Sequence, residues 1–159
     1  MHQNLEKLLA AAVEEVFTTM LQCPVQAMDS PTQQFRGERL VAGVVGFVGG
    51  LNGMIYIYAT EQFAPRITGR VLGVAPETAQ PLEMVNDAMS ELANMVAGHM
   101  KSRLDEQGLP VQETIPWSER GRNVTVHSGG GEKQCLSTVR CDGGEIVAQV
   151  ILDSTDGRP

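Results

Sequence analysis

Cysteine is too scarce and too irregularly spaced to organise this chain. Its 159 residues hold Cys23, Cys135 and Cys141. That number is odd and no C-x-x-C spacing occurs, so the three are read as reduced structural thiols rather than a disulfide framework or a zinc cluster. His2, His99 and His127 are as sparse, and no two of them stand at the i, i+4 spacing that would bring two imidazoles to one metal on a helix. Positive charge is in deficit too, with 12 Lys and Arg against 19 Asp and Glu and a formal net charge of −7. Such a surface repels a phosphate backbone, which makes nucleic acid a poor partner. No apolar run approaches the roughly eighteen residues that suggest a membrane span. The opening Met1-His2-Gln3-Asn4-Leu5-Glu6 lacks the basic and apolar regions of a signal peptide, so a cytoplasmic location with no membrane association is expected.

What is present suits a folded domain. Hydrophobic residues make up 42% and charged residues 19%, a composition outside the disordered range. The length favours a single domain over residues 1–152, followed by a tail from Asp153 to Pro159 that has little to bury. From Asn4 to about Leu21, Leu5, Leu8, Leu9, Ala12, Val13, Val16, Phe17 and Met20 recur at three- and four-residue steps, which predicts an amphipathic helix. Leu40–Phe47 and Met54–Tyr58, separated by a glycine-rich turn, predict a β-hairpin. Thr60 can cap a short helix that carries Phe63, Ile67 and Val71 and ends near Gly73. A second long helix is expected from Pro81 to about Gln107, with Gly108 to end it and Pro110 to prevent its continuation. Asn123–His127, Gln134–Cys141 and Ile146–Leu152 then read as a three-stranded antiparallel meander.

The second long helix carries the functional signal. At about 100° per residue, Val85, Met89, Leu92, Val96 and Met100 gather on one side, which must face the core. Asp87, Glu91, Asn94, Gly98, Ser102 and Asp105 fall on the opposite stripe. A polar stripe is what any surface helix needs, so on its own it means little. Gly98 is less ordinary, because glycine inside a helix costs about 1 kcal/mol relative to alanine. Its presence on the exposed face suggests that another backbone or side chain approaches closely there.

The spacing Asp87-x3-Glu91-x2-Asn94-x21-Pro116 resembles, at every defined position, the signature of the CheC/CheX/FliY family of response-regulator phosphatases. Glu91-Leu92-Ala93-Asn94-Met95-Val96-Ala97-Gly98 looks like that family's active helix, and the hairpin and short helix precede it as they do in the family. Members with two sites carry a second E-x2-N on the first long helix. Here Glu14 and Glu15 are followed three positions later by Phe17 and Thr18, so a single site of the CheX type is implied. The resemblance further implies an α+β fold, with two long helices packed on a largely antiparallel sheet, and a homodimer. Its implied activity is hydrolysis of the aspartyl phosphate on a CheY-like receiver domain.

An amide can accept and donate at once, so Asn94 is the candidate for holding the attacking water in line with phosphorus. Glu91, nearly one turn earlier, is the candidate for pairing with the receiver's lysine. Asp87 either supports Glu91 and the partner contact or simply sits favourably near a helix N-terminus. Pro116, with no donor and no reactive group, fixes the chain rather than touching substrate. No cofactor is expected on this chain; Mg2+ is expected in the partner. A non-catalytic adaptor that docks on receiver domains is the competing reading. Ser128-Gly129-Gly130-Gly131-Glu132-Lys133 lacks the order of a phosphate loop and reads as a hairpin turn. Trp117 is left open between a partner anchor and a cover for the core near the sheet edge.

Overall fold

The structure, a computed structural model, describes residues 2–75, 81–121 and 134–153. The first apolar stripe folds as helix α1 (His2–Glu15), followed by a π-helical turn at Val16–Met20. Leu5, Leu9, Ala12 and Val13 are buried along α1, and the wider turn keeps Val16 and Phe17 buried in succession. The single helix expected over this stretch is therefore two windings.

Among the described residues seven strands form one antiparallel sheet: β1 (Gln26–Met28), β2 (Leu40–Gly49), β3 (Gly53–Thr60), β4 (Val111–Glu113), β5 (Trp117–Gly121), β6 (Gln134–Cys141) and β7 (Gly144–Leu152). Their order is β1-β6-β7-β3-β2-β4, with β5 pairing with β2 as well. The predicted β2–β3 hairpin is present, in register from Leu40 opposite Thr60 to Phe47 opposite Gly53. Its turn needs glycine at Gly49, where φ is +126° and the amide donates to Asn52 Oδ1 at 3.1 Å. Of the predicted meander, β6 and β7 pair as expected. The strand placed at Asn123–His127, the turn at Ser128–Gly131 and the tail beyond Asp153 lie outside the described residues. The three short strands β1, β4 and β5 were not anticipated; each has only three to five residues, too few for a period-two pattern to declare itself.

Alternation decides which face each strand buries. In β3, Ile55, Ile57 and Ala59 join the main core beneath the helices, while Met54, Tyr56 and Tyr58 join a smaller cluster on the other face. There Tyr56 and Tyr58 stack at 5.7 Å. Tyr58 donates to Gln149 Oε1 at 2.9 Å, and burial raises its phenol above the usual range. The short helix α2 (Gln33–Gly37) contributes Phe35 to this second cluster. Trp117 also packs there, and its indole N–H donates to Glu119 Oε2 at 3.0 Å. The three cysteines are buried, with their thiol pKa values raised by desolvation, that of Cys135 to about 12.

Helix α3 (Ala64–Leu72) follows β3 and ends at Gly73 with φ +72°. Thr60 does cap the chain ahead of it, accepting from the Phe63 amide at 3.1 Å, although the helix itself begins at Ala64. Helix α4 (Leu82–Glu106) is the second long helix. It stops as its sequence suggests, with Gly108 at φ +79° and the Leu109 amide closing onto the Leu104 carbonyl at 2.9 Å.

Candidate functional site

Helix α4 is seated very low on the sheet. Val85, Ala88, Met89, Leu92, Ala93, Val96, Ala97, Met100 and Leu104 are all buried on its inner side. Under Met89 lies Gly43 of β2: a Cβ there would overlap the Met89 carbonyl and stand 3.1 Å from the Ala93 methyl. This glycine inside the strand thus permits the close approach that sets the height of the whole helix. Its position in the predicted strand was a usable signal, although sequence reasoning did not draw on it.

Low seating on one side leaves the other side clear. Asp87, Glu91, Asn94 and Gly98 lie within about 60° of one another around α4, and Glu91 and Asn94 are separated by about 4.5 Å along its axis. Asp87 and Glu91 are exposed, while Asn94 and Gly98 are half-buried. A Cβ added at Gly98 would meet nothing within 4 Å, so this part of the stripe is open. Among the described residues, neither the Glu91 carboxylate nor the Asn94 amide has a hydrogen-bond or ion-pair partner.

The cations near α4 are already engaged. Arg103 donates to Glu15 Oε1 at 2.6 Å, and His99 Nδ1 lies 3.2 Å from the same oxygen. The Arg103 hydrogen bond is the main reason that the Glu15 carboxyl titrates below its ordinary value. Lys101 lies 3.9 Å from Glu113, and Arg120 bonds both Asn86, at 2.8 Å, and Glu61, at 3.0 Å.

The contacts of Lys101 and Asn86 also locate Pro116. The segment from Glu113 to Arg120 is tied to α4 at Lys101 and at Asn86. Glu113 and Arg120 stand opposite Phe47 and Val41, six steps apart on β2 or about 20 Å, and the fifteen helical steps between the α4 anchors cover about 22 Å. Strand and helix therefore run side by side in opposite directions, and Ile115 and Pro116 fall level with the Asn94–Gly98 stretch. Lys101 is seven residues beyond Asn94, nearly in the same row of the helix, so this neighbour lies on the Asn94 flank of the stripe. The corner is held by Thr114, whose amide donates to the Gly46 carbonyl at 2.9 Å and whose hydroxyl accepts from the Gly46 amide at 2.8 Å.

The first long helix offers no comparable pair. Glu15 is tied to Arg103 and His99, Phe17 is completely buried, and Thr18 donates its hydroxyl to the Glu14 carbonyl at 2.8 Å. No group of three or more His, Cys, Asp or Glu among the described residues is arranged to hold a metal ion, and no helix among them is long and apolar enough to cross a membrane. A cleft lined by Phe35, Thr60, Phe63, Arg140 and Glu145 includes no residue of the stripe. The stripe on α4 is a convex surface, suited to entering a recess in another molecule rather than to enclosing a small ligand.

Comparison with known proteins places this architecture. The family model for the chemotaxis phosphatase CheX matches residues 41–139. The CheY-P phosphatase CheX of Thermotoga maritima is 33% identical over 88 residues, which are 55% of this chain. That match spans only 56% of the relative's own length. The crystal structure of the chemotaxis protein CheX from Vibrio vulnificus superposes with a TM-score of 0.75 at 23% identity, covering 96% of this chain and 99% of that one. The matching chain of the CheX-CheY-BeF3-Mg2+ complex from Borrelia burgdorferi superposes with a TM-score of 0.69 at 20% identity, covering 93% and 97%. The two structures speak for the fold, an α+β sheet with helices as expected, and the family model extends over more than half of the sequence: the chain belongs to the CheX family.

Proposed function

We propose that this chain hydrolyses the aspartyl phosphate of a CheY-like response regulator, in chemotaxis or a related two-component pathway. The observation that carries the reading is the pairing of Glu91 and Asn94, one carboxylate and one amide, both without partners among the described residues, on the open side of a rigidly seated helix. The Thermotoga relative's name and the Borrelia complex support a partner of this kind.

A phosphorylated receiver supplies the phosphoryl group, a divalent cation and a lysine. The missing element is a water held in line with phosphorus. Asn94 takes that role, with its carbonyl accepting from the water and its NH2 donating to an oxygen nearby. Glu91 enters beside it and pairs with the receiver's lysine, which fixes the approach. The acceleration comes from positioning, where an error of about 1 Å can cost roughly 10²-fold, and no covalent intermediate on this chain is needed. Asp87 supports the partner contact one turn earlier. The Mg2+ belongs to the receiver. The working unit is residues 1–152, acting in the cytoplasm as a homodimer whose mass light scattering would check.

The decisive experiment follows phosphate loss from magnesium-loaded receivers with the wild-type chain, Asn94→Ala and Glu91→Ala. Acceleration that disappears in both variants, with the fold retained by circular dichroism, is the expected result. Binding without any acceleration by the wild-type chain would replace the phosphatase reading with a docking adaptor.

A further inference from the structure

Among the described residues the most exposed large apolar side chain is Ile115, at 85%. It stands where the β4–β5 corner runs beside α4, level with Asn94 and Gly98 on the Asn94 flank of the stripe. We propose that Ile115 is a partner-binding residue of this site, an apolar contact that settles on an aliphatic patch beside the receiver's phosphorylation pocket while Glu91 and Asn94 enter it. The inference rests on the proposed function and deepens it.

Three observations support this assignment. First, the fold does not use the side chain: Ile115 belongs to neither hydrophobic cluster. Second, the corner that presents it is stiff. Thr114 clasps both polar groups of Gly46, Pro116 limits the backbone immediately after, and Lys101 faces Glu113 before it. The β-branched side chain adds its own restriction at χ1, so little freedom is lost when a partner covers it. Third, the charged and polar groups near it orient a partner but bury little apolar surface against it. Glu91 and Asn94 are polar and solvated, and polar contacts set orientation while a buried aliphatic contact holds the complex together. A body that descends on α4 closely enough for Glu91 and Asn94 to reach inside it must cover the adjacent corner.

The test is a saturation curve for phosphate loss from the magnesium-loaded receiver, measured with wild type, Ile115→Ala and Ile115→Val, and with Asn94→Ala as the comparison. Ile115→Ala is expected to raise KM roughly five- to tenfold with kcat unchanged, while Ile115→Val stays within about twofold of wild type. Asn94→Ala is expected to lower kcat instead. The melting temperature of Ile115→Ala should match wild type, since the side chain is nearly free of the fold. An unchanged KM in Ile115→Ala, with the wild-type chain active, overturns this inference and leaves the phosphatase reading standing. A raised KM that tracks dissociation of a dimer in sedimentation overturns it too, because Ile115 would then serve the chain's own interface. Failure of the wild-type chain to accelerate any receiver sinks the phosphatase reading and this inference together.

Discussion

The two long helices lie on the same face of the same sheet, and both carry acidic residues away from the core, yet those residues are engaged in opposite ways. On α1, Glu15 is held by Arg103 and His99 of the other helix. On α4, Glu91 and Asn94 face outward with no partner among the described residues. An engaged carboxylate ties two elements together and is unavailable to a partner. A free one beside a free amide, on a helix that cannot retreat, has no structural task to perform. The comparison separates a clamp from a candidate site, although sequence alone presents both as acidic residues on amphipathic helices.

The sharpest way to break that distinction is to exchange the damage. Asn94→Ala should reduce the acceleration of receiver dephosphorylation by about 10²-fold or more, with stability unchanged within roughly 0.5 kcal/mol. Glu15→Ala should show the reverse, a lower melting temperature with kcat near wild type. Equal loss of activity in both variants would mean that the two helices form one catalytic surface.

Glycines extend the comparison within α4 itself. Gly43→Ala would drive a methyl into the Met89 carbonyl from below. It should destabilise the fold by about 1–3 kcal/mol as an overpacking change and lower activity by lifting the helix. Gly98→Ala meets open space and should stabilise the helix by about 1 kcal/mol. If a partner covers that face, the same change raises KM. Urea denaturation beside saturation kinetics distinguishes the two. A Gly43→Ala chain as stable as wild type would show that α4 is not held at the height argued above.

The clamp also has a pH signature. The Arg103 contact lowers the folded-state pKa of Glu15 below its ordinary value. Its contribution to stability is therefore complete above the unfolded carboxylate pKa of about 4.3 and disappears as pH falls through the lower folded value. Glu15→Gln should shrink the difference in melting temperature between about pH 6 and about pH 3 relative to wild type. An unaltered difference would place the acid sensitivity elsewhere, for example in the Arg70–Asp142 pair, whose 2.8 Å contact lowers the Asp142 pKa in the same manner.

Much of this was legible before the structure, because it depended on repeated local patterns. The inner row of α4, its glycine stop, the β2–β3 hairpin and the orientation of the polar stripe all follow from periods of 3.6 or 2 and from the chemistry of turns. Other features depended on long-range pairing and left no such mark. The clasp between Thr114 and Gly46 joins residues 68 apart. Strands β4 and β5 exist because β2 offers them an edge. Ile115 in a sequence is indistinguishable from a core residue, and only its placement on that corner shows it to be exposed. The engagement of Glu15 was equally hidden, since it needs Arg103 from a helix 88 positions away.

The smallest expected effect bears most directly on why one helix and not the other carries the candidate site. Thr18→Asn would place an amide three positions after Glu15, the same carboxylate and amide order that α4 carries at Glu91 and Asn94. Spacing is then equal, but geometry is not. Glu15 remains bound to Arg103 at 2.6 Å, and position 18 lies in the π-helical turn, where the wider winding changes its direction relative to Glu15. The substitution should leave the rate of receiver dephosphorylation unchanged, and in an Asn94→Ala background it should restore nothing. Recovery of even a tenth of the wild-type rate in that double variant would show that the motif's spacing suffices, and that the freedom of Glu91 from its own chain is incidental to the chemistry.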